Sequence, residues 1–470
     1  MTAMTAMPVL TWKTLTAAAA LLALAPALTP TPGPAARAQT PGYRPDQGEA
    51  SMTPALPPTL SPRQQAAIED RWLARRLDTL VPALMREHGI DMWVLVAREY
   101  MEDPVVSTML NATSLRARRR TILLFHDPGD GQPVERLTVS RYDLGDYFKA
   151  AWDPDSQPDQ WQRLAALIAA RDPDTIALNV SPLTAFADGL THSQHQDLLA
   201  ALPERLAKRI VPGFPLAIGW LETRTTDEMA YYPHVVRTAH AIIGEGLSRA
   251  VITPDETSAA DVQWWYRQRI ARLGLDAWFH PSVAVIRRGE PEMLRGDVVI
   301  RPGDMLWTDF GIVYLGLNTD TQHLGYVLRP GETEAPAGLR AGLAAANRVQ
   351  DALTASFRLG DTGNEILARA RARAIDAGLE PSIYSHPIGF HGHGAGASIG
   401  FWDNQGPAPK GEYRLRADTA WSIELNATLA VPEWGGQRVE FRLEEDAFFD
   451  GETVRYIDGR QTRFHLIAPF

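Results

Sequence analysis

The chain has 470 residues, 45 % of them apolar and 22 % charged, the balance of a globular protein with room for two or three domains of roughly 100–200 residues each. A net charge of -10, with only a short basic run at Arg116–Arg120, excludes a protein that holds nucleic acid through a basic stripe. The absence of cysteine excludes disulfides and thiolate metal sites, so any metal must be held by oxygen and imidazole.

The N-terminus reads as an export signal over residues 1–38. Lys13 supplies the positive charge, Leu15 to Leu28 the apolar stretch, and Ala36-Arg37-Ala38 the small-residue cleavage pattern. Cleavage after Ala38 implies a periplasmic or secreted protein. The apolar stretch is too short for a stable anchor, and no later segment approaches the ~20 apolar residues of a membrane span. Residues 39–60, rich in Pro, Thr and Ser, read as a flexible lead-in.

Leu73, Leu77, Leu80 and Leu84 recur at helical spacing and predict a helix over 62–88, with Pro82 inside it and Gly89 as its stop. The run Met92-Trp93-Val94-Leu95-Val96 reads as a buried strand, with further strands at 121–125 and 175–180 and a helix over 158–170. Strands alternating with helices predict an α/β domain over 61–215, closed by a linker at Val211–Pro215. A second unit, 222–470, opens with the capping box Thr225 to Glu228 and a helix running to Arg249. Helices at 258–273, at 339–359 and from Thr362 onward, with strands at 283–287, 305–327 and 419–449, make it α+β.

Three segments of this unit carry chemistry. In Gly303–Gly311 and Asn318-Thr319-Asp320, two aspartates flank a hairpin. A turn centred between Tyr314 and Leu315 sets Asp309 opposite Asp320, with Cβ atoms ~4.5–5.5 Å apart. Two buried carboxylates that close repel each other unless a cation lies between them; on a surface hairpin they are merely solvated. In Ser385–Gly396, three histidines and four glycines fall within twelve residues, and glycine lets backbone approach a ligand closely. Glu424 and Glu444 lie in apolar strand patterns, where a glutamate needs a cation, a metal or an arginine such as Arg438 or Arg442.

The order Asp309, Asp320, a His-Gly loop, Ile423-Glu424 and Arg442-Leu443-Glu444-Glu445-Asp446 resembles the pita-bread metallopeptidases: methionine aminopeptidase, aminopeptidase P, prolidase and creatinase. The resemblance covers about 222–470, and the preceding α/β unit resembles the N-terminal domain of the creatinase and aminopeptidase P branch. It implies two divalent metals (Mn, Co, Fe or Zn, with Mn favoured) held by Asp309, Asp320, His393, Glu424 and Glu444. His393 is chosen because Gly392-His393-Gly394-Ala395-Gly396 fits one form of the family's loop, with His391 the next choice and Glu445 a one-residue alternative to Glu444. Glu424, His386 and His391 are the implied catalytic residues. The substrate-facing histidine usual before the first aspartate strand is missing, and His280 either replaces it or packs in the core. The implied activity is a metal-dependent aminopeptidase cleaving Xaa-Pro bonds in peptides, working as a homodimer. The alternatives are a metal-free creatinase-like amidinohydrolase and an inactive peptide-binding relative.

Overall fold

A computed structural model describes residues 55–468. The export signal, its cleavage site and most of the lead-in lie outside the described residues. Residues 55–60 of that lead-in are not loose: Leu56 and Leu60 pack on an apolar core, and the Leu60 amide donates to the Tyr314 hydroxyl at 2.7 Å.

The N-terminal domain is a mixed six-stranded sheet with Met92–Arg98 at its centre, antiparallel to Arg120–His126 and parallel to Ile176–Leu178. Alternation along the central strand assigns its two faces. Trp93 and Leu95 meet Leu77, Val81 and Leu84 of the helix Pro62–Glu87, while Met92, Val94 and Val96 meet the helices Gln160–Arg171 and His192–Ala201. Each fully buried leucine of this kind contributes on the order of 1.5–3 kcal/mol. The second helix starts at Gln160, not at 158, because the Asp159 side chain caps the amides of Trp161 and Gln162. The expected linker is absent. Ile210–Pro212 is the sheet's edge strand, and Phe214–Glu222 is a buried helix that enters with Pro215 in its first turn, so the chain passes the 215–222 boundary without a break.

The helix expected to run to Arg249 is two. Thr226–Met229 ends before Tyr232–Gly246 because Pro233 lacks the N–H that would continue the first turn. That second helix and Ala259–Arg272 pack on one apolar core; Ala337–Thr354 and Gly363–Asp376 pack on another. Between them lie three antiparallel groups of strands. Ser282–Ile286, Met305–Phe310 and Thr321–Val327 form the first, with His465–Ile467 added in parallel. Pro381–Ile383, Leu425–Val431 and Gln437–Leu443 form the second; His386–Ile388, Thr419–Ser422, Asp446–Phe449 and Val454–Tyr456 form the third.

The aspartate hairpin differs from expectation by one residue in its turn. Its tip is the two-residue loop Leu315-Gly316, both at positive φ (56° and 68°), which pairs Tyr314 with Leu317. Asp309 therefore faces Gln322, not Asp320. Asp320 lies two residues from Gln322 on the same face, a diagonal neighbour of Asp309 within side-chain reach.

Candidate metal centre

Three successive strand segments change sheets at one place. The chain crosses from the second group to the third, or back, at Tyr384–Ser385, at Ile423–Glu424 and at Glu444–Glu445. Backbone and hydroxyl bonds seal the crossing. The Glu424 amide donates to Ser385 Oγ at 2.9 Å, the Tyr384 amide to the Glu424 carbonyl at 3.1 Å, and Gln322 and Glu444 exchange amide-to-carbonyl bonds at 3.1 and 3.2 Å. Glu424 and Glu444 are thereby fixed beside Gln322, and so beside both aspartates of the hairpin.

His386 begins the strand after the first crossing, paired with Ser422. Its Nε2 stands 3.7 Å from Asp320 Oδ2, 3.7 Å from Glu444 Oε1 and 3.9 Å from Glu424 Oε2. Ligating atoms of Asp309, Asp320 and Glu444 lie within 4.8 Å of one another, and so do those of His386, Glu424 and Glu444. Glu444 belongs to both sets. Asp320 also groups with His386 and His393, so it too reaches both sides.

The donor set suits divalent cations. Burial, reinforced by neighbouring carboxylates, pushes the carboxyls of Asp320, Glu424 and Glu444 well above the usual range, and burial pushes Asp309 up to about 7. Burial, with His393 close by, pushes the His386 imidazole down to about 4. Asp309 Oδ1 and His386 Nε2 are buried without a hydrogen-bond partner. Four crowded carboxyls and a neutral imidazole with an unused ring nitrogen fit cations placed among them, and oxygen with imidazole suits Mn, Co, Fe or Zn.

The other sequence candidates are placed differently. The structure brings His386, and not His393, to the centre of the carboxylates. His393 stands beside it at the cavity wall, ring centroids 4.8 Å apart, and against Trp278. His391 turns away and stacks on Phe186 of the N-terminal domain, centroids 4.7 Å apart. His280 is exposed beside Trp264, neither in the core nor at the cavity. Glu445 points to the opposite side of the strand from Glu444.

Two features escaped the sequence reading. Gln322 Nε2 donates to Glu424 Oε1 at 2.5 Å and its Oε1 accepts from Trp307 Nε1 at 3.0 Å; its strand parity with Asp320 was the available signal. Behind the centre, Glu445 accepts from His323 at 2.9 Å and pairs with His240 at 3.1 Å, while His240 Nδ1 meets Asp458 at 3.2 Å and His323 Nδ1 meets His465 at 3.1 Å. Burial works against both charges, yet the two carboxylates hold His240 up at about 10, and His323 and His240 hold Glu445 down at about 2. Every ring nitrogen of His240 and His323 has a partner at hydrogen-bond distance, unlike Nε2 of His386. This group is a buried charge network rather than a vacant ligand set.

Residues 234–443 match the profile of metallopeptidase family M24. No curated protein matches the chain. Among solved structures, the X-Pro aminopeptidase of Thermotoga maritima MSB8 is similar at 16 % identity and a TM-score of 0.57, over 82 % of this chain and 99 % of that one. The Xaa-Pro dipeptidase of Bacillus anthracis gives 16 % and 0.55, over 87 % and 100 %. A histidine-to-alanine variant of Escherichia coli aminopeptidase P gives 12 % and 0.56, over 85 % and 95 %. At these identities the likeness establishes the fold. The chain thus has a pita-bread fold preceded by an N-terminal α/β domain.

Proposed function

We propose that this protein is a dinuclear metallo-aminopeptidase that removes the N-terminal residue of peptides, at Xaa-Pro bonds. The observation that carries the reading is the pair of ligand sets, Asp309/Asp320/Glu444 and His386/Glu424/Glu444, joined through Glu444, with Asp309, His386 and Glu424 lining a cavity of 1130 Å³. The family match supports peptidase chemistry, and the relatives named X-Pro aminopeptidase and Xaa-Pro dipeptidase support the bond class.

Asp309 would hold one ion, His386 and Glu424 the other, and Asp320 and Glu444 both. This assignment gives the ligand role to His386 in place of His393. Bound ions supply acidity to a water and polarise the scissile carbonyl. The chain's own groups do the rest. Gln322 occupies Glu424 Oε1 and leaves Oε2 free to take the proton of the attacking water and pass it to the leaving nitrogen. His393, at the wall beside His386, is placed to donate to the developing oxyanion, a role that His391 in its stack on Phe186 does not reach.

Elemental analysis of purified protein, before and after chelation, with hydrolysis of an Xaa-Pro peptide, tests the reading. About two divalent ions per chain and cleavage abolished by chelator are expected. No bound metal after Mn or Co loading would sink it and favour a metal-free hydrolase.

A further inference from the structure

The loop between His386 and His393 is anchored at successive residues, and two of the anchors come from the N-terminal domain. His386 is held by its strand pairing with Ser422, but His393 lies beyond the end of that strand at Ile388 and has no such register. The Gly389 carbonyl accepts from the Asn318 amide at 2.8 Å and from Asn318 Nδ2 at 2.9 Å, which ties the loop to the hairpin two residues before Asp320. The guanidiniums of Arg224 and Arg76 lie over the Phe390 ring, 4.3 and 4.7 Å from its centroid. His391 stacks on Phe186. Gly392 packs so closely on Trp278 that a Cβ there would come 2.3 Å from the indole, and Trp278 Nε1 donates to the Thr319 carbonyl at 2.9 Å. Arg76 and Phe186 belong to the N-terminal domain. Neither Phe390 nor His391 lines the cavity.

Phe390 is the anchor with the strongest physical cause. Arg76 and Arg224 are buried and share Glu228 as counter-charge. Arg76 Nε, Arg224 Nε and Arg224 Nη1 have no hydrogen-bond partner. Two buried cations on one carboxylate gain from the electron-rich face of a ring, and that contact strengthens where water is excluded. Backbone crowding adds to it: a Cβ on Gly389 would lie 3.1 Å from Arg224 Cζ, so the loop meets this guanidinium through main chain as well as ring. Two backbone bonds carry the position of Phe390 onward. The Gly389 amide donates to the His391 carbonyl at 3.1 Å, closing a tight turn around Phe390, and the Gly394 amide donates to the Pro387 carbonyl at 2.7 Å, closing the loop that contains His393.

We infer that Phe390 is a positioning residue: held by Arg76 and Arg224, it sets the loop that presents His393 to the reaction, and through Arg76 the first helix takes part in the candidate site. This rests on the peptidase reading above, in which His393 donates to the oxyanion.

The test is a double-mutant cycle in metal-loaded protein on an Xaa-Pro peptide. Phe390→Leu removes the ring face and keeps an apolar side chain. It should lower kcat roughly tenfold, the scale of groups that orient reacting ones, with KM and metal content little changed. In the His393→Ala background the same change should cost less than about twofold, because the residue it positions is gone. Phe390→Tyr keeps the ring and should restore most of the loss. Full loss in both backgrounds, loss of metal, or no loss in either overturns the assignment. Hydrogen exchange separates it from the peptidase reading. Phe390→Leu should speed exchange across 389–394 and leave 386–388 as in wild type, and Phe390→Tyr should not. If wild type cleaves no peptide, the peptidase reading fails, and this local change still upholds the anchor. Exchange that is unchanged, or raised throughout the chain, overturns it.

Discussion

Gln322 Nε2 donates to Glu424 Oε1 at 2.5 Å while Trp307 Nε1 donates to Gln322 Oε1 at 3.0 Å. A chain of two hydrogen bonds thus fixes which oxygen of Glu424 remains free. Gln322→Leu removes the orienting donor without touching a candidate ligand. Groups that orient ligands typically matter by 10–100-fold, so kcat should fall by roughly that factor with KM little altered and metal still bound. Steady-state kinetics beside metal analysis checks this. Unchanged kcat would show that Glu424 needs no such support.

The two histidines of the loop should separate by metal content. His386→Ala removes the imidazole that stands 3.7 Å from both Asp320 and Glu444, and one ion per chain should be lost along with nearly all activity. His393→Ala should keep both ions and lower kcat by on the order of 10²-fold, the scale of one oxyanion donor. Equal metal loss in both variants would return the ligand role to His393.

The grouping of the four carboxylates was legible because Asp309, Glu424 and Glu444 interrupt apolar strand patterns and Asp320 lies across a hairpin from Asp309, and a buried charge needs a partner wherever the chain folds. The position of His386 among them was not, because what places it there is the crossing at Tyr384–Ser385 and its pairing with Thr419–Ser422, a register set more than thirty residues away. The hairpin register was hidden for a local reason. Leu315 takes a positive φ that a branched, bulky residue seldom adopts, so the two-residue loop does not announce itself. The helix break before Pro233 was readable from that proline and shows a capping box prevailing for only one turn. The network of His240, His323 and Glu445 joins residues more than a hundred positions apart, and nothing local marks it.

Arg76 and Glu228 form an ion pair at 3.0 Å, with side chains 1 % and 0 % exposed, that joins the first helix to the opening of the C-terminal domain. The guanidinium also lies over Trp220 and Phe390, and Arg224 stands 3.6 Å from the same glutamate. Glu228→Gln keeps the shape and the cap on Thr225 but leaves two buried cations without a counter-charge. Breaking such a pair from one side costs roughly 3–5 kcal/mol. Urea unfolding should show a loss of that size, and a loss below about 1 kcal/mol would mean that water reaches the pair.

Glu222 is buried beside Tyr413, whose hydroxyl donates to it at 3.1 Å, while Arg416 Nε stands 3.7 Å away and is bonded to Glu87 through its terminal nitrogens at 2.7 and 2.8 Å. Burial prevails over Arg416 and pushes the Glu222 carboxyl up to about 8, from 4.5. The folded protein therefore keeps a proton that the unfolded chain releases. This group's contribution to stability is full below about 4.5, declines as pH rises, and is gone once pH passes about 8. Glu222→Gln fixes the neutral form and retains the acceptor for Tyr413. Between pH 5 and pH 8.5, wild type should lose stability relative to the variant by on the order of a few kcal/mol, read as a larger fall in Tm. Parallel Tm curves would show Glu222 ionised throughout, paired with Arg416 and not neutral in its pocket.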